Sequence, residues 1–260
     1  MKILPPSHLI AHAPIPLLRA EPPLNETVPP PDKTAVYSPV PPVVVAPEGG
    51  VPSDAIVLFD GKNLDAWEPE KAGSPGWKLE NGVMVVVPGA GDIRTKRAFG
   101  DIQLHIEFRE PSPAHGNGQY RGNSGVFLMG LYELQIMDSY ENPTYVNGQA
   151  GAMYKQYAPL VNPSRPPGVW QTYDVIFRAA RFAATGVVIS PARVTVFYNG
   201  VAVQADVALG GWTRNKGYPH YEPTPDKLPL SLQEHPQAPG SGPVAFRNIW
   251  VRELHLPPTP

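Results

Sequence analysis

The amino-acid sequence predicts an all-β fold, a sandwich of strands around a single core. Its 24 glycines and 35 prolines divide the 260 residues into many short apolar runs, and helix signals are few. Several of these runs alternate apolar and polar residues with a period of two, which is typical of strands with one buried face. Strand patterns stand at both ends of the region 54–256, so a sandwich can close on itself, and single all-β domains of this length are common.

The first strands of this domain follow directly after a leading tail. Ile56 to Phe59 is a short apolar strand, and Trp67 is the expected core anchor of the segment after it. The next two strands form a hairpin, from Trp77 to Leu79 and from Val83 to Val87. Its turn is Glu80-Asn81-Gly82, whose Asn-Gly pair favours the left-handed conformations of a tight turn.

Further strand patterns complete the sandwich. The run from Ile102 to Arg109 alternates throughout, which predicts one buried face and one polar face. The polar face carries His105 and Glu107, which are site candidates only if that face is the concave one. The other strands are predicted at Trp170 to Arg178, at Arg193 to Tyr198 with Val201 to Val203 across an Asn-Gly turn, at Leu230 to Leu232, and at Val244 to Leu254.

The stretch from Arg121 to Tyr140 contains the densest polar chemistry of the chain. In its second half apolar residues alternate with Glu133 and Gln135, which therefore share one face of a strand. Strict alternation turns Asp138 towards the core, whereas a β-bulge at Ile136-Met137 brings it beside the other two. With the bulge, two carboxylates and an amide line one sheet face, where they can hold a sugar, exchange protons with it or bind a cation. The alternative is a solvated outer face of the sheet.

The segment 141–167 is predicted to be a long irregular loop, a kind of loop that is often functional in compact domains. Tyr145, Tyr154, Tyr157 and Arg165 are its aromatic and cationic residues. We expect them either to form a wall over the row of carboxylates or simply to hold the loop in place.

Composition and motifs exclude several classes of protein. The net charge of −2, with 17% charged residues and no basic run, gives no electrostatic basis for binding nucleic acid or an anionic membrane surface. The absence of cysteine excludes disulfides, thiolate metal sites and cysteine nucleophiles. Lipase, phosphate-loop, dinucleotide and zinc-protease motifs are also absent, and we predict no cofactor and no metal. A surface of carboxylates, amides and aromatic rings remains, which is how proteins usually bind carbohydrates.

The first 53 residues differ from the rest because they hold 14 of the 35 prolines. This composition predicts an extended tail of the polyproline type, with a second short tail at 257–260. The tail has no recognisable export signal, and the chain has no apolar run of about 18 residues, the length of a membrane-spanning helix. We expect its apolar residues to pack on the domain or on partner chains. The alternative function is therefore a non-catalytic extrinsic subunit that clamps a larger assembly, including one at a membrane.

Seven ordered motifs resemble one family, that of the 3-keto-disaccharide hydrolases. They are LFDGKNLDAW, TKRAFGDIQLHIEFR, RGNSGVFLMGLYELQIMDSY, GQAGAMYKQYAPLVNPSRPPGVWQTYDVIFR, PARVTVFYNG, LSLQEH and FRNIWVREL, and they span about residues 55–255. The resemblance implies a concanavalin A-like jelly roll of two curved antiparallel sheets with a concave, sugar-facing surface. It also implies cleavage of glycosides oxidised at the 3-position of the sugar, and a periplasmic or cell-envelope location. The motif from Glu133 to Asp138 is similar, too, to the bulged Glu-x-Asp-x-x-Glu strand of laminarinase-type glycosidases.

A 3-keto substrate implies an elimination mechanism. The C3 carbonyl acidifies the C2 proton, so a base can remove it and the glycosidic oxygen leaves C1 before water adds; direct hydrolysis by the same pair is the competing mechanism. Glu133 or Asp138 is the expected base, and His235 or the other carboxylate is the expected acid. The expected substrate-binding residues are Arg121, which would polarise the ketone, with Asn123, Gln135, Tyr154, Lys155 and Gln233.

The sequence departs from the family pattern in three places. The family usually has glycine at the position of Lys155 and often has histidine at that of Tyr198, and LQEHPQAPGSGPV replaces a shorter turn. A long cation beside the site is expected to narrow or block the pocket. A sugar-binding module without turnover is therefore a third function that the sequence leaves open.

Overall fold

The structure is a computed structural model that describes residues 35–74 and 76–256. The chain divides into two units after Val43, and every described strand belongs to the second unit, which begins at Val44. Residues 35–43 contain no helix or strand. The prediction that the leading tail packs on its domain or on partners concerns mainly residues 1–34, and the second predicted tail is residues 257–260. Both stretches lie outside the described residues.

Within the described residues, the second unit consists of fifteen strands and two short 3₁₀ turns, which confirms the predicted all-β class. The 3₁₀ turns are Gly118–Tyr120 and Val146–Gly148. The strands are β1 Ile56–Phe59, β2 Trp67–Pro69, β3 Lys78–Glu80, β4 Val83–Val85, β5 Ile93–Phe99, β6 Ile102–Arg109, β7 Ser124–Leu128, β8 Tyr132–Ile136, β9 Gln171–Arg178, β10 Arg181–Phe182, β11 Val188–Ser190, β12 Arg193–Tyr198, β13 Val201–Ala208, β14 Leu228–Leu232 and β15 Ala245–Glu253.

Two antiparallel sheets form the sandwich. The large sheet has the order β13-β12-β9-β6-β15-β4-β3, with β1 also paired to β15. The small sheet has the order β2-β5-β14-β7-β8, and β10 with β11 forms a separate hairpin. The inner faces of the sheets meet where the ring of Tyr132 in β8 packs on Phe177 in β9, with 5.5 Å between the ring centroids. The hydroxyl of Tyr173 in β9 also donates a hydrogen bond to the main-chain oxygen of Gln135 in β8, at 2.6 Å.

The core fills the space between the sheets because every second side chain of each strand turns inwards. In β6 the four apolar residues are buried and alternate with partly exposed polar ones. In β8 the inward residues are Tyr132, Leu134 and Ile136, which are at most 1% exposed. Trp67 is also buried, as predicted, and its ring N–H donates to the oxygen of Leu58 at 2.9 Å. Each such side chain stabilises the fold by about 1.5–3 kcal/mol relative to an exposed one.

The two predicted Asn-Gly hairpins are confirmed. Asn81 and Gly82 join β3 to β4 with φ angles of 52° and 75°. Asn199 and Gly200 join β12 to β13 with φ angles of 51° and 81°. Asparagine and glycine adopt this left-handed region more readily than other residues, so the sequence itself selects both turns.

Other elements have no clear pattern in the sequence and were not predicted. No strand was expected at β5, because three of its seven residues are charged and its alternation is weak. Neither β10 nor β11 was expected, and β13 was expected to end at Val203 although that strand runs to Ala208. None of the described segments forms a helix that is long and apolar enough to span a membrane.

Candidate active site

A cavity of about 260 Å³ lies on the outer face of the small sheet, which is turned away from the core. Its floor is formed by β7 and β8, because Leu134 and Ile136 point into the core while Glu133 and Gln135 point outwards, as predicted. The segments before β7 and after β8, β13 and β14 form its walls. The lining residues are Gln119, Asn123, Phe127, Glu133, Gln135, Tyr154, Thr213, Asn215, Gln233 and His235.

Glu133 supplies a buried carboxyl group to this cavity, with only 5% of its surface exposed. It lies over Gly125 of β7, where a Cβ atom would come within 2.9 Å of Glu133 Oε1. The carboxyl group forms no hydrogen bond with any described residue. Burial and, next, the charge of Asp92 raise the pKa of Glu133 to about 8, against the opposing charge of Lys155. The carboxyl group is therefore mainly protonated at neutral pH.

Lys155 stands beside the cavity and is not one of its lining residues. Its φ of 58° lies in the left-handed region, which residues other than glycine adopt only rarely. The Lys155 ammonium donates to the main-chain oxygen and Oδ1 of Asn215, at 2.6 and 3.0 Å. It also lies 5.3 Å from the centre of the Tyr154 ring. The lysine thus joins two walls of the cavity at its edge.

Three amide oxygens of cavity residues are buried without a hydrogen-bond partner: Asn123 Oδ1, Gln135 Oε1 and Gln233 Oε1. The amide of Asn123 is oriented because its Nδ2 donates to the main-chain oxygen of Gln119 at 2.8 Å. The amide of Gln135 is oriented because its Nε2 donates to Gln119 Oε1 at 3.1 Å. A buried acceptor without a donor costs about 1–3 kcal/mol, and a hydroxyl group that reached these oxygens would relieve that cost.

His235 lines the same cavity as Glu133. Its Nδ1 lies 2.8 Å from the main-chain oxygen of Pro236. A carbonyl oxygen can only accept a hydrogen bond, so Nδ1 carries the proton in the neutral ring and Nε2 keeps a free lone pair. The histidine is therefore set up to accept a proton at Nε2.

Asp138 and Arg121, both predicted site residues, do not line the cavity. Arg121 Nε donates to Asp138 Oδ2 at 2.6 Å in a largely buried ion pair, and a second N–H of Arg121 donates to the oxygen of Tyr140. The predicted β-bulge is wrong, because the Met137 sulfur contacts Gln119 Nε2 at 3.2 Å and so occupies the next cavity-side position. Strict alternation then turns Asp138 away from the cavity. The row of polar groups on the cavity face is therefore shorter than predicted.

A second buried carboxyl group, that of Glu110, lies close to Asp138. A Cβ atom at Gly122, between them, would come within 2.9 Å of the Glu110 Cβ and 3.1 Å of the Asp138 Cβ. Burial, and to a lesser degree the charge of Asp138, raises the pKa of Glu110 well above its usual range. The Glu110 carboxyl group accepts a hydrogen bond of 3.4 Å from Gln171 Nε2.

The long loop 141–167 is divided between the two expected roles. Tyr154 lines the cavity, and its hydroxyl lies 2.7 Å from that of Tyr145, which extends the wall outwards. Tyr157 and Arg165 instead donate hydrogen bonds to main-chain oxygens of β13 and of Trp170, and so hold the loop in place.

The polar face of β6 lies elsewhere on the molecule. His105 Nδ1 is 2.7 Å from Asp174 Oδ1 of the neighbouring strand β9, and Glu107 accepts a hydrogen bond from Arg247 at 2.6 Å. Neither His105 nor Glu107 lines the cavity on the small sheet.

Four lining residues were not predicted from the sequence: Gln119, Phe127, Thr213 and Asn215. Phe127 is the Cα partner of Glu133 in the pairing of β7 with β8. The strand register therefore places its side chain on the same face of the sheet as Glu133. Thr213 and Asn215 follow β13 in an irregular segment with no pattern to place them. Thr213 Oγ1 accepts a hydrogen bond from the Glu133 main-chain N–H at 2.9 Å.

The described residues contain no group of three or more histidine, cysteine, aspartate or glutamate side chains arranged to hold a metal ion. The chemistry that these residues offer is proton transfer by Glu133 and His235 and hydrogen bonding by amide groups.

An amide-lined cavity with a protonated carboxyl group, on one face of a β-sandwich, fits a carbohydrate-active domain related to glycosyl hydrolases. Residues 54–252 match the 3-keto-α-glucoside-1,2-lyase-like domain family, and the chain belongs to this family. This confirms the family resemblance seen in the sequence motifs. Among curated proteins no significant match is found.

Solved structures agree with this assignment. A candidate glycosyl hydrolase from Parabacteroides distasonis ATCC 8503 is 46% identical, with a TM-score of 0.80, over 86% of this chain and 97% of that chain. A second candidate glycosyl hydrolase from the same organism is 20% identical, with a TM-score of 0.56, over 77% of this chain and 94% of that chain. The second comparison supports the fold alone.

Proposed function

We propose that this protein cleaves 3-keto-glycosides by elimination, with Glu133 and His235 as the proton-transfer pair. Family membership supports the substrate class. The observation that carries the mechanism is the unbonded carboxyl group of Glu133, with its pKa raised to about 8, in the same cavity as the free Nε2 of His235.

The reaction proceeds without any change in oxidation state. His235 Nε2 takes the C2 proton, which the neighbouring C3 ketone makes acidic. The electron pair of the C–H bond forms the C1–C2 double bond, and the bond from C1 to the glycosidic oxygen breaks. Glu133 gives its proton to the departing oxygen, so the products are an alcohol and an unsaturated 3-keto sugar, to which water can add at C1.

This assignment of roles follows from the protonation states. A carboxyl group with a pKa of about 8 is mainly in its acid form at neutral pH, while the Nδ1–H of His235 is committed to Pro236. Ionisation of Glu133 then removes the acid, so turnover is expected to fall as the pH rises past about 8.

Cavity amides would hold the sugar in place. Asn123, Gln135 and Gln233 offer oxygens to sugar hydroxyls, since each oxygen lacks a donor. The Thr213 hydroxyl accepts from Glu133 N, so its own proton is free to donate to a substrate oxygen. This replaces the polarising role expected for Arg121, which is held in the buried pair with Asp138.

Sugar binding without turnover is the second candidate function, because the three unpaired amide oxygens favour a polyhydroxylated ligand whether or not a bond is broken. In that case the protein binds a 3-keto-glucoside and leaves it intact.

The test is steady-state turnover of a methyl 3-keto-glucoside, whose leaving alkoxide needs a proton, by the native protein and by the Glu133→Gln and His235→Gln variants. We expect each variant to lose about 10²–10⁴-fold in kcat, the usual contribution of a general acid or base. Glu68→Gln is the matched control, since Glu68 pairs with Arg94 and does not line the cavity. Full activity in Glu133→Gln would contradict the mechanism, and binding without release of methanol by the native protein would favour the second function.

A further inference from the structure

Asp92 stands directly before β5, and its side chain reaches the segment that carries His235. In the small sheet β5 lies beside β14, where Ile93 pairs with Leu232. Beyond this last pair, Asp92 Oδ1 accepts a hydrogen bond from the main-chain N–H of Glu234 at 2.7 Å. The carboxylate therefore continues the pairing by one residue past the end of the strands.

The other edge of the same segment is fixed to β7. Gln233 N donates to the oxygen of Gly125 at 3.0 Å, and Ser124 Oγ donates to the oxygen of Gln233 at 2.7 Å. With the Asp92 bond on the opposite edge, the main chain is held on both sides immediately before His235. Asp92 is thus one of the groups that hold the main chain next to His235, together with Gln237 Nε2, which donates to the His235 oxygen at 2.8 Å.

The charge of Asp92 also acts on the cavity acid. It is the second contribution, after burial, to the raised pKa of Glu133. Asp92 itself has its pKa raised to about 6 by burial, with Glu70 and Glu234 adding to the effect against the hydrogen bond from Glu234 N. Asp92 is therefore largely ionised in the range where Glu133 titrates. The other groups that interact with Glu133 are the Lys155 ammonium, which opposes Asp92, and the Tyr154 hydroxyl.

An amide would make the same hydrogen bond at this position without any charge. Asparagine Oδ1 accepts from a main-chain N–H as aspartate does, and it avoids the repulsion from Glu70 and Glu234. The Asp92 carboxylate is therefore repelled by Glu70 and Glu234, although the hydrogen bond to Glu234 N does not require a charged acceptor.

We propose that Asp92 is a positioning residue of this site, which fixes the Gln233–His235 segment on the cavity wall and acts on Glu133 through its charge. Its assignment to catalysis rests on the proposed function, but both of its physical effects are measurable in the protein without substrate.

Two variants separate the two effects. Asp92→Asn keeps the acceptor for Glu234 N and removes the charge, whereas Asp92→Ala removes both. The first readout is the titration of the Glu133 carboxyl carbon by NMR, where Asp92→Asn should lower the midpoint by about one unit. The second is hydrogen exchange of the Glu234 amide, which should stay slow in Asp92→Asn and become at least about tenfold faster in Asp92→Ala. Asp206→Asn, which removes a carboxylate paired with Arg193 on the large sheet, should change neither readout.

With a 3-keto-glucoside as substrate, the fall in kcat at high pH should begin at lower pH in Asp92→Asn by the same shift. An unchanged Glu133 midpoint in Asp92→Asn, or an unchanged Glu234 exchange rate in folded Asp92→Ala, would overturn the proposal. If the native protein cleaves no 3-keto-glucoside, the proposed function fails, whereas the two substrate-free readouts still decide whether Asp92 positions the segment and acts on Glu133.

Discussion

Glu133 and Asp138 are only five residues apart, yet the fold gives them opposite environments. Glu133 projects outwards from β8 into the cavity, without a hydrogen-bond partner, and its pKa is raised to about 8. Asp138 turns to the other side, where Arg121 Nε donates to it at 2.6 Å. One carboxyl group is therefore available for chemistry and the other holds the chain together.

The physical difference is compensation of charge. Asp138 is 2% exposed but accepts hydrogen bonds from the guanidinium of Arg121 and from the N–H of Tyr140. Glu133 is 5% exposed and has no cation in contact with its carboxyl group. Burial without compensation favours the neutral acid, and burial with compensation favours the ion. The comparison shows that burial alone does not distinguish a carboxyl group without a hydrogen-bond partner from one held in an ion pair.

The largest effect is expected from removing the structural charge. Asp138→Asn keeps an oxygen for Tyr140 N but leaves the Arg121 guanidinium without a counterion in a largely buried position. We expect a loss of about 3–5 kcal/mol in the free energy of unfolding, measured by urea denaturation at pH 7. Glu133→Gln, which removes no ion pair and replaces a carboxyl group whose burial disfavours its ionised form, should lose no stability at the same pH. Equal losses in the two variants would remove the distinction between the two sites.

The pH dependence of stability should show the protonated state of Glu133. Its pKa in the folded protein, about 8, lies above the ordinary value of 4.5 that applies to the unfolded chain. The folded state then binds more protons than the unfolded state between these values, so stability is greatest below pH 4.5 for this group and declines as pH rises through 8. Between pH 5 and 8 the native protein should lose roughly 3 kcal/mol relative to Glu133→Gln. Parallel stability curves for the two proteins would show that Glu133 is ionised throughout.

Gly125 offers a smaller and more local test of the same geometry. A Cβ atom there comes within 2.9 Å of Glu133 Oε1 and 3.2 Å of its Cγ, so Gly125→Ala should displace the carboxyl group and cost about 1–3 kcal/mol. In a double-mutant cycle the cost should largely disappear when Glu133 is replaced by alanine. Additive effects on the free energy of unfolding would mean that the strain arises elsewhere.

Much of the fold was predictable because it depends on local patterns. Alternation placed β6, β8 and β9 and the inward residues of β8, and Asn-Gly pairs placed both hairpin turns. β5 was missed because Arg94, Lys96 and Arg97 interrupt its apolar pattern, although pairing with β2 and β14 still fixes it as a strand. Strand pairing between distant segments decides such cases, and a single sequence does not display it.

The site was predictable only where it follows the strand. Glu133 and Gln135 came from alternation, whereas the bulge proposed for Asp138 ignored Arg121 as a buried partner. Thr213 and Asn215 line the cavity from a segment some eighty residues further along the chain than Glu133. The sequence of that segment has no pattern that predicts these contacts. Asp92 was missed for the same reason, since only the fold brings it to Glu234.

The central claim, elimination with Glu133 as the acid and His235 as the base, is tested most directly by product analysis in deuterium oxide. The native protein should convert a 3-keto-glucoside into an unsaturated 3-keto sugar with an enone absorption, and the hydrated sugar should carry deuterium at C2. Both signals should be lost in Glu133→Gln and His235→Gln and kept in Glu68→Gln. A hydrated product that retains its original C2 hydrogen, with no enone at any time, would contradict elimination and indicate direct hydrolysis.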